Sequence, residues 1–190
     1  MFEYISGKLA SVTPANAVVD CGGVGYLLEI SLNTFSAIQT KEQVLLWVHE
    51  VIREDAHLLY GFFTAKEREM FRLLLGVNGV GAATARMMLS SLSVEELTGA
   101  IASQDAKMIQ RVKGVGAKTA QRIVLELQDK VSDMGVVASV SAAPVSRNKE
   151  EALSALVMLG FPKAAAEKVL GPMDGTLTVE SLIKEALKRL

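Results

Sequence analysis

The sequence predicts an α+β multidomain chain: an N-terminal five-stranded OB-like β-barrel, a central all-helical domain, a flexible linker and a small C-terminal three-helix domain. Three observations carry this. Apolar residues recur every second position up to about residue 63 and about every 3.6 positions after Thr64, the periods of strand and helix. The segment "VNGVGAATAR" (77–86) returns as "VKGVGAKTAQ" (112–121) with seven of ten positions identical. A stretch rich in Ser, Ala, Val and Gly, residues 132–147, sets off the last 43 residues.

In the first domain, residues 1–63, the β-rich runs are "YISGKLASV", "AVVDCG", "VGYLLEIS", "VLLWVHEVI" and "AHLLYGFF". "TPAN", "CGGVG", a helix-capable "SLNTFSAIQ" and "REDA" separate them, each with turn or helix chemistry. Five strands with one helix between the third and fourth fit an OB-like barrel; a five-stranded SH3-like barrel shares much of this pattern.

In the second domain, 64–131, "TAKEREMFRLLLG" places Met70, Phe71, Leu73, Leu74 and Leu75 on an apolar face. Helices follow at "AATARMMLSSL", "SVEELTGAIAS", "DAKMIQRV" and "AKTAQRIVLELQDKV". Thr64, Ser93 and Asp105 are candidate N-caps, and Glu96 three positions after Ser93 completes a capping-box pattern. Residues 132–147 show no helical face and read as linker. Asn148 and Glu151 suggest another capping box, after which "EEALSALVMLG", "PKAAAEKVLG" and "TVESLIKEALKRL" give three short helices over 148–190. A unit this small sits near the lower limit for an independent core.

Half of the 190 residues are hydrophobic, enough for a buried core, yet no apolar run approaches the roughly 18 residues of a spanning helix. The start "MFEYISGKLAS" lacks a basic and an apolar region of the export type, so a cytoplasmic, membrane-free protein is expected. The lone Cys21 permits no internal disulfide, and with His49 and His57 it forms no zinc-spaced cluster; no metal or cofactor is expected. A net charge of −1 conceals asymmetry: residues 1–63 carry three Lys/Arg against seven Asp/Glu, whereas 106–122 carry Lys107, Arg111, Lys113, Lys118 and Arg122 with no acid. Local potential, not the total, decides encounter with a polyanion.

Each repeat reads helix, G-V-G turn, helix. Glycines at Gly79, Gly81, Gly114 and Gly116 allow a sharp reversal and close backbone approach, with Val80 and Val115 as inward anchors. The following helix starts with free N–H groups and its positive dipole end, an anion site. Lys118, Thr119 and Arg122 add ammonium, hydroxyl and guanidinium there. "GVGAKT" is no P-loop, because Ala117 stands where that motif needs lysine. The dinucleotide fingerprint also fails, since Thr84 occupies the third glycine position and a helix precedes it. A pair of such turns suits two backbones of one duplex. The first copy has Asn78 and Ala83 where the second has Lys113 and Lys118, so it would rely on N–H groups, Thr84 and Arg86. Glu54 and Asp55 fall at the tip of the hairpin between the last two strands, where acids are also common simply as turn residues.

Taken together, the barrel, the "REDAHLLYGF" hairpin, the paired "NGVG" and "KGVGAKTAQR" helix-hairpin-helix motifs, "CGGVGYLLEIS" and the small C-terminal unit resemble the RuvA family of Holliday junction branch-migration proteins over the full length. The resemblance implies a non-catalytic, DNA-binding homotetramer, or an octamer of two, that holds a four-way junction open and square-planar in recombination, repair and the SOS response. It implies phosphate contacts from the hairpin residues, and an acidic pin at Glu54 and Asp55 that repels phosphates at the crossover. It further implies docking of the RuvB hexameric AAA+ ATPase on the last helix, through Leu182, Ile183, Ala186, Leu187 and Leu190, and the junction resolvase RuvC as a further partner; the same five residues also read as the core of a three-helix bundle, the role favoured at each single position because a unit this small needs most of its leucines inside. Ala82-Ala83, where family members often carry Pro-Lys, departs from the pattern. An enzyme carrying such hairpins, a nuclease or glycosylase, would need a nucleophile or metal cluster beside them. A protein scaffold would use the hairpins only for packing.

Overall fold

The computed structural model describes residues 1–136 and 144–190, with side chains over 1–131 and 148–190. Two compact units emerge, 1–136 and 137–190.

The first unit opens with strands β1 (Tyr4–Val12), β2 (Asn16–Asp20) and β3 (Gly25–Ile30), helix α1 (Leu32–Ile38), and strands β4 (Gln43–Ile52) and β5 (His57–Phe62). They close a barrel in the order β1-β2-β3-β5-β4. All pairings are antiparallel except β3–β5, where Glu29 faces Tyr60 and Ile30 faces Gly61 in parallel. That crossover and the intervening helix settle the barrel as OB-like. Alternation works as the period predicted: Ile5, Val19, Leu28, Ile30, Leu46 and Val48 point inward and are buried. Ser31 caps α1 by accepting from the Thr34 N–H at 3.0 Å.

Helices α2 (Ala65–Leu75), α3 (Ala82–Ser91), α4 (Val94–Ala102), α5 (Ala106–Gln110) and α6 (Ala117–Val136) follow. Thr64, Ser93 and Asp105 are their N-caps as expected, and Ser93 with Glu96 forms the full capping box. The barrel interior, with Ile5, Val19, Leu28, Ile30, Leu46 and Val48, is a core of its own, and β5 joins the barrel to the helices: Tyr60 and Phe62 are buried with Met70, Phe71 and Leu74 of α2. Phe71 lies 4.8 Å from Phe62 and 5.0 Å from Tyr60 between ring centroids.

The expectation of non-helical chain over 132–147 needs correction at both ends. Helix α6 continues to Val136, and helix α7 (Pro144–Met158) already begins at Pro144, where proline at a first helical position loses no hydrogen bond. Residues 137–143, the middle of that expected linker, lie outside the described residues. Asn148 is therefore not a cap; it sits inside α7 and donates from Nδ2 to the Leu177 carbonyl at 3.0 Å. The second unit is completed by α8 (Lys163–Leu170) and α9 (Val179–Leu187), around a core of Ala152, Leu156, Ala166, Leu170, Leu182 and Ala186.

Candidate nucleic-acid interface

The two repeats fold alike. In the first, the Val77 N–H donates to Leu74 O, Val80 to Val77 O, and Ala85 to Gly81 O; in the second, Val112 donates to Ile109 O, Val115 to Val112 O, and Ala120 to Gly116 O. All four valines are buried, so the turn is held from beneath by its own side chains. The glycines divide the labour. Gly79 and Gly114 adopt φ of 92° and 91°, a conformation that β-carbons disfavour. Gly81 and Gly116 do not, yet a Cβ on either would meet nothing within 4 Å. Their bareness leaves open surface in front of the helix that follows. Gly81, the N-cap of α3, supplies no side-chain cap, so no cap side chain occupies the N–H groups of the first turn, where an anion is stabilised.

The repeats also meet each other. Thr119 Oγ1 lies 3.9 Å from where a Cβ on Gly79 would stand, and Arg122 donates from Nη1 to the Asn78 carbonyl at 3.0 Å. Arg122 is thus not a free cation but a tie between the turns, with Glu126 one helical turn on at 3.7 Å from its Nε. Lys113 and Lys118 are exposed and pair with no described acid. Thr84 and Thr119 are half-buried at equivalent places.

Arg86 departs from its expected role beside the first turn. Its Nη1 is paired with Glu29 and also donates to Ala15 O at 3.0 Å, which spends the guanidinium on holding α3 to the barrel. Sequence patterning missed this because Glu29 is 57 positions away.

Glu54 and Asp55 occupy the two central positions of the β4–β5 turn, closed by the Arg53 N–H to Ala56 O at 2.7 Å. Both are exposed, and no described cation pairs with them. At the foot of that hairpin His57 Nε2 lies 2.6 Å from Glu50 Oε1.

The docking residues expected on the last helix divide. Leu182 and Ala186 are fully buried and Ile183 packs against the same core, so these three build the small unit; Leu187 and Leu190 remain exposed. Among the described residues of this unit, the most exposed large apolar side chain is Met158, 90% accessible, flanked by the exposed Val157 and Leu159. The "VML" run before Gly160 was the available signal, but 3.6 periodicity assigns any apolar run to a core.

Residues 1–61 match the family described as RuvA N terminal domain, 71–129 the SAM-like helix-hairpin-helix tandem, and 147–190 the RuvA C-terminal domain. A Christiangramia forsetii protein named Holliday junction branch migration complex subunit RuvA is 50% identical over 193 residues, covering all of both chains. This chain belongs to the RuvA family. RuvA proteins of the same name from Bacteroides thetaiotaomicron and Porphyromonas gingivalis are 48% and 44% identical, again over the whole of each chain. Among the described residues of this RuvA-family chain, no group of three or more His, Cys, Asp or Glu is placed to hold a metal, and no helix is long and apolar enough to cross a membrane.

Proposed function

We propose that this chain is a non-catalytic subunit that binds four-way DNA junctions, holds them open and square-planar as a homotetramer or a pair of tetramers, and recruits the RuvB hexameric ATPase for branch migration, with RuvC as a further partner. The observation that carries the reading is the pair of hairpins with equivalent backbone bonds, tied side by side through Arg122 and Asn78.

Two outward helix starts at a fixed separation present two sets of N–H donors to two phosphates. Gly79, Val80, Gly81 and Thr84 form the first grip, and Gly114, Val115, Gly116, Lys118 and Thr119 the second. The grip reads backbone, not bases. Lys113 and Lys118 make the second one stronger and more salt-dependent, since each neutralised phosphate releases counterions.

Glu54 and Asp55 act as the acidic pin. At the centre of a fourfold assembly their carboxylates disfavour phosphates that settle at the crossover, at about 1 kcal/mol per unit-charge pair 4 Å apart in water. The motor docks on the small C-terminal unit through Leu187, Leu190 and the exposed Val157-Met158-Leu159 run, an apolar helix-face mode of recognition. Domains at 1–63, 64–131 and 148–190 carry these three tasks in a protein of the cytoplasm.

A gel-shift competition at moderate salt, between a synthetic four-way junction and linear duplex of the same arm sequence, tests the reading. Strong junction preference is expected, followed by ATP-driven branch migration when RuvB is added. Equal weak binding to both would leave only generic duplex grips.

A further inference from the structure

Helix α2 carries two charged residues where its apolar face predicts none: Glu67 and Arg68 are buried, at 5% and 7% exposure. Neither touches the hairpins or the acidic turn. Both reach back into the barrel. The Glu67 carboxylate accepts from Thr34 Oγ1 at 2.7 Å and from the Ser31 hydroxyl. Thr34 Oγ1 in turn accepts from the Phe63 N–H at 3.0 Å, at the end of β5. Arg68 donates from Nη1 to Glu3 O at 2.9 Å and, more weakly, to Val48 O at 3.4 Å; its Nη2 bonds Glu3 Oε1 at 2.6 Å. Its guanidinium carbon stands 4.9 Å from the Trp47 ring centre.

These bonds span the two features of the proposed junction site. Strands β4 and β5 carry Glu54 and Asp55 at their far end, and α2 runs directly into the first hairpin. The apolar contact of Phe71 with Tyr60 and Phe62 holds the two parts together, but packing of similar shapes tolerates repacking and small rotations. Hydrogen bonds from buried charges do not, because a small rotation leaves a buried carboxylate or guanidinium without partners.

We infer that Thr34, Glu67 and Arg68 are positioning residues, fixing the acidic β4–β5 turn relative to the paired hairpins and so setting the preference for a four-way junction over linear duplex. The inference rests on the junction-binding reading above. A linear duplex needs only the hairpins. A junction needs hairpins on the arms and the turn at the centre at once, which makes its affinity depend on the angle between them.

The test uses the full chain with Thr34→Val, which keeps the shape and deletes the hydroxyl, and Thr34→Ser, which restores it. Arg68→Met keeps packing on Trp47 and serves as the second lesion should Thr34→Val not fold. The competition between junction and duplex is repeated with each, beside thermal unfolding to verify folding. Thr34→Val and Arg68→Met are expected to lower the junction-to-duplex preference about tenfold, as misplacement of a rigid contact does, with duplex affinity held within about twofold. Thr34→Ser is expected to bring most of the preference back. An unchanged preference in the folded variants overturns the inference. So does an equal fall for both DNAs that serine does not rescue, which marks the bonds as structural only. Absence of junction preference in the unsubstituted protein is a different failure and sinks the functional reading itself.

Discussion

Arg122 on the second hairpin donates its Nη1 hydrogen to the main-chain carbonyl of Asn78 in the turn of the first, at 3.0 Å. The position equivalent to Arg122 in the first copy is Met87, which has no such donor, so the tie runs one way. Arg122→Met is expected to weaken duplex and junction binding about tenfold while leaving the slope of log affinity against log salt unchanged, because a spacer is lost and not a phosphate contact. A slope shallower by about one would instead assign the guanidinium to a phosphate.

Lys118 gives the opposite pattern. Its ammonium is exposed and unpaired among the described residues, next to the start of α6. Lys118→Ala is expected to reduce the salt slope by about 0.9 for duplex DNA, with little change in thermal stability. The two substitutions read together separate geometry from charge.

The glycine pairs predict a split between stability and binding. Gly114→Ala forces a β-carbon into φ of 91° and should cost about 1–2 kcal/mol of stability, measurable by urea unfolding. Gly116→Ala meets no neighbour within 4 Å and should change stability by less than about 0.5 kcal/mol. Its effect should appear in duplex affinity, because the added methyl stands in front of the N–H groups.

Burial pushes the Glu67 carboxyl above its ordinary 4.5, while hydrogen bonds from Ser31, Thr34 and the Phe63 main chain pull the other way. The folded value is the raised one, so the native state holds this proton more tightly than the unfolded chain. Below 4.5 the group is protonated in both states and contributes no pH dependence; as pH climbs from there through the folded value, stability is lost. Glu67→Gln removes that loss. The stability of Glu67→Gln relative to the unsubstituted chain is expected to rise in urea unfolding as pH climbs above 4.5. A flat difference would mean that the hydrogen bonds, not burial, govern the group.

Replacing Glu54 and Asp55 by Gln and Asn should hold or tighten junction binding, by up to about tenfold at low salt, and alter the rate of branch migration. The gain should fade as salt screens the repulsion. Unchanged binding and unchanged migration would remove the pin assignment.

The sequence by itself determined the order of the elements and the repeated turns, but not the end of α6 or the start of α7. Period-two runs such as "YISGKLASV" became β1 over the same residues, because alternation and turn residues are local. The G-V-G copies could be matched position by position for the same reason. Tertiary structure decided what distance in sequence conceals. Glu29 claims Arg86, Asn78 claims one donor of Arg122, and Ser31 and Thr34 draw Glu67 into the interior. Leu182 and Ala186 went to the core while Met158 stayed outside, since a three-helix unit has too few faces to bury every apolar run. Helical period tells which residues share a face; only packing against other elements tells which face is covered and which charged groups can be paired inside.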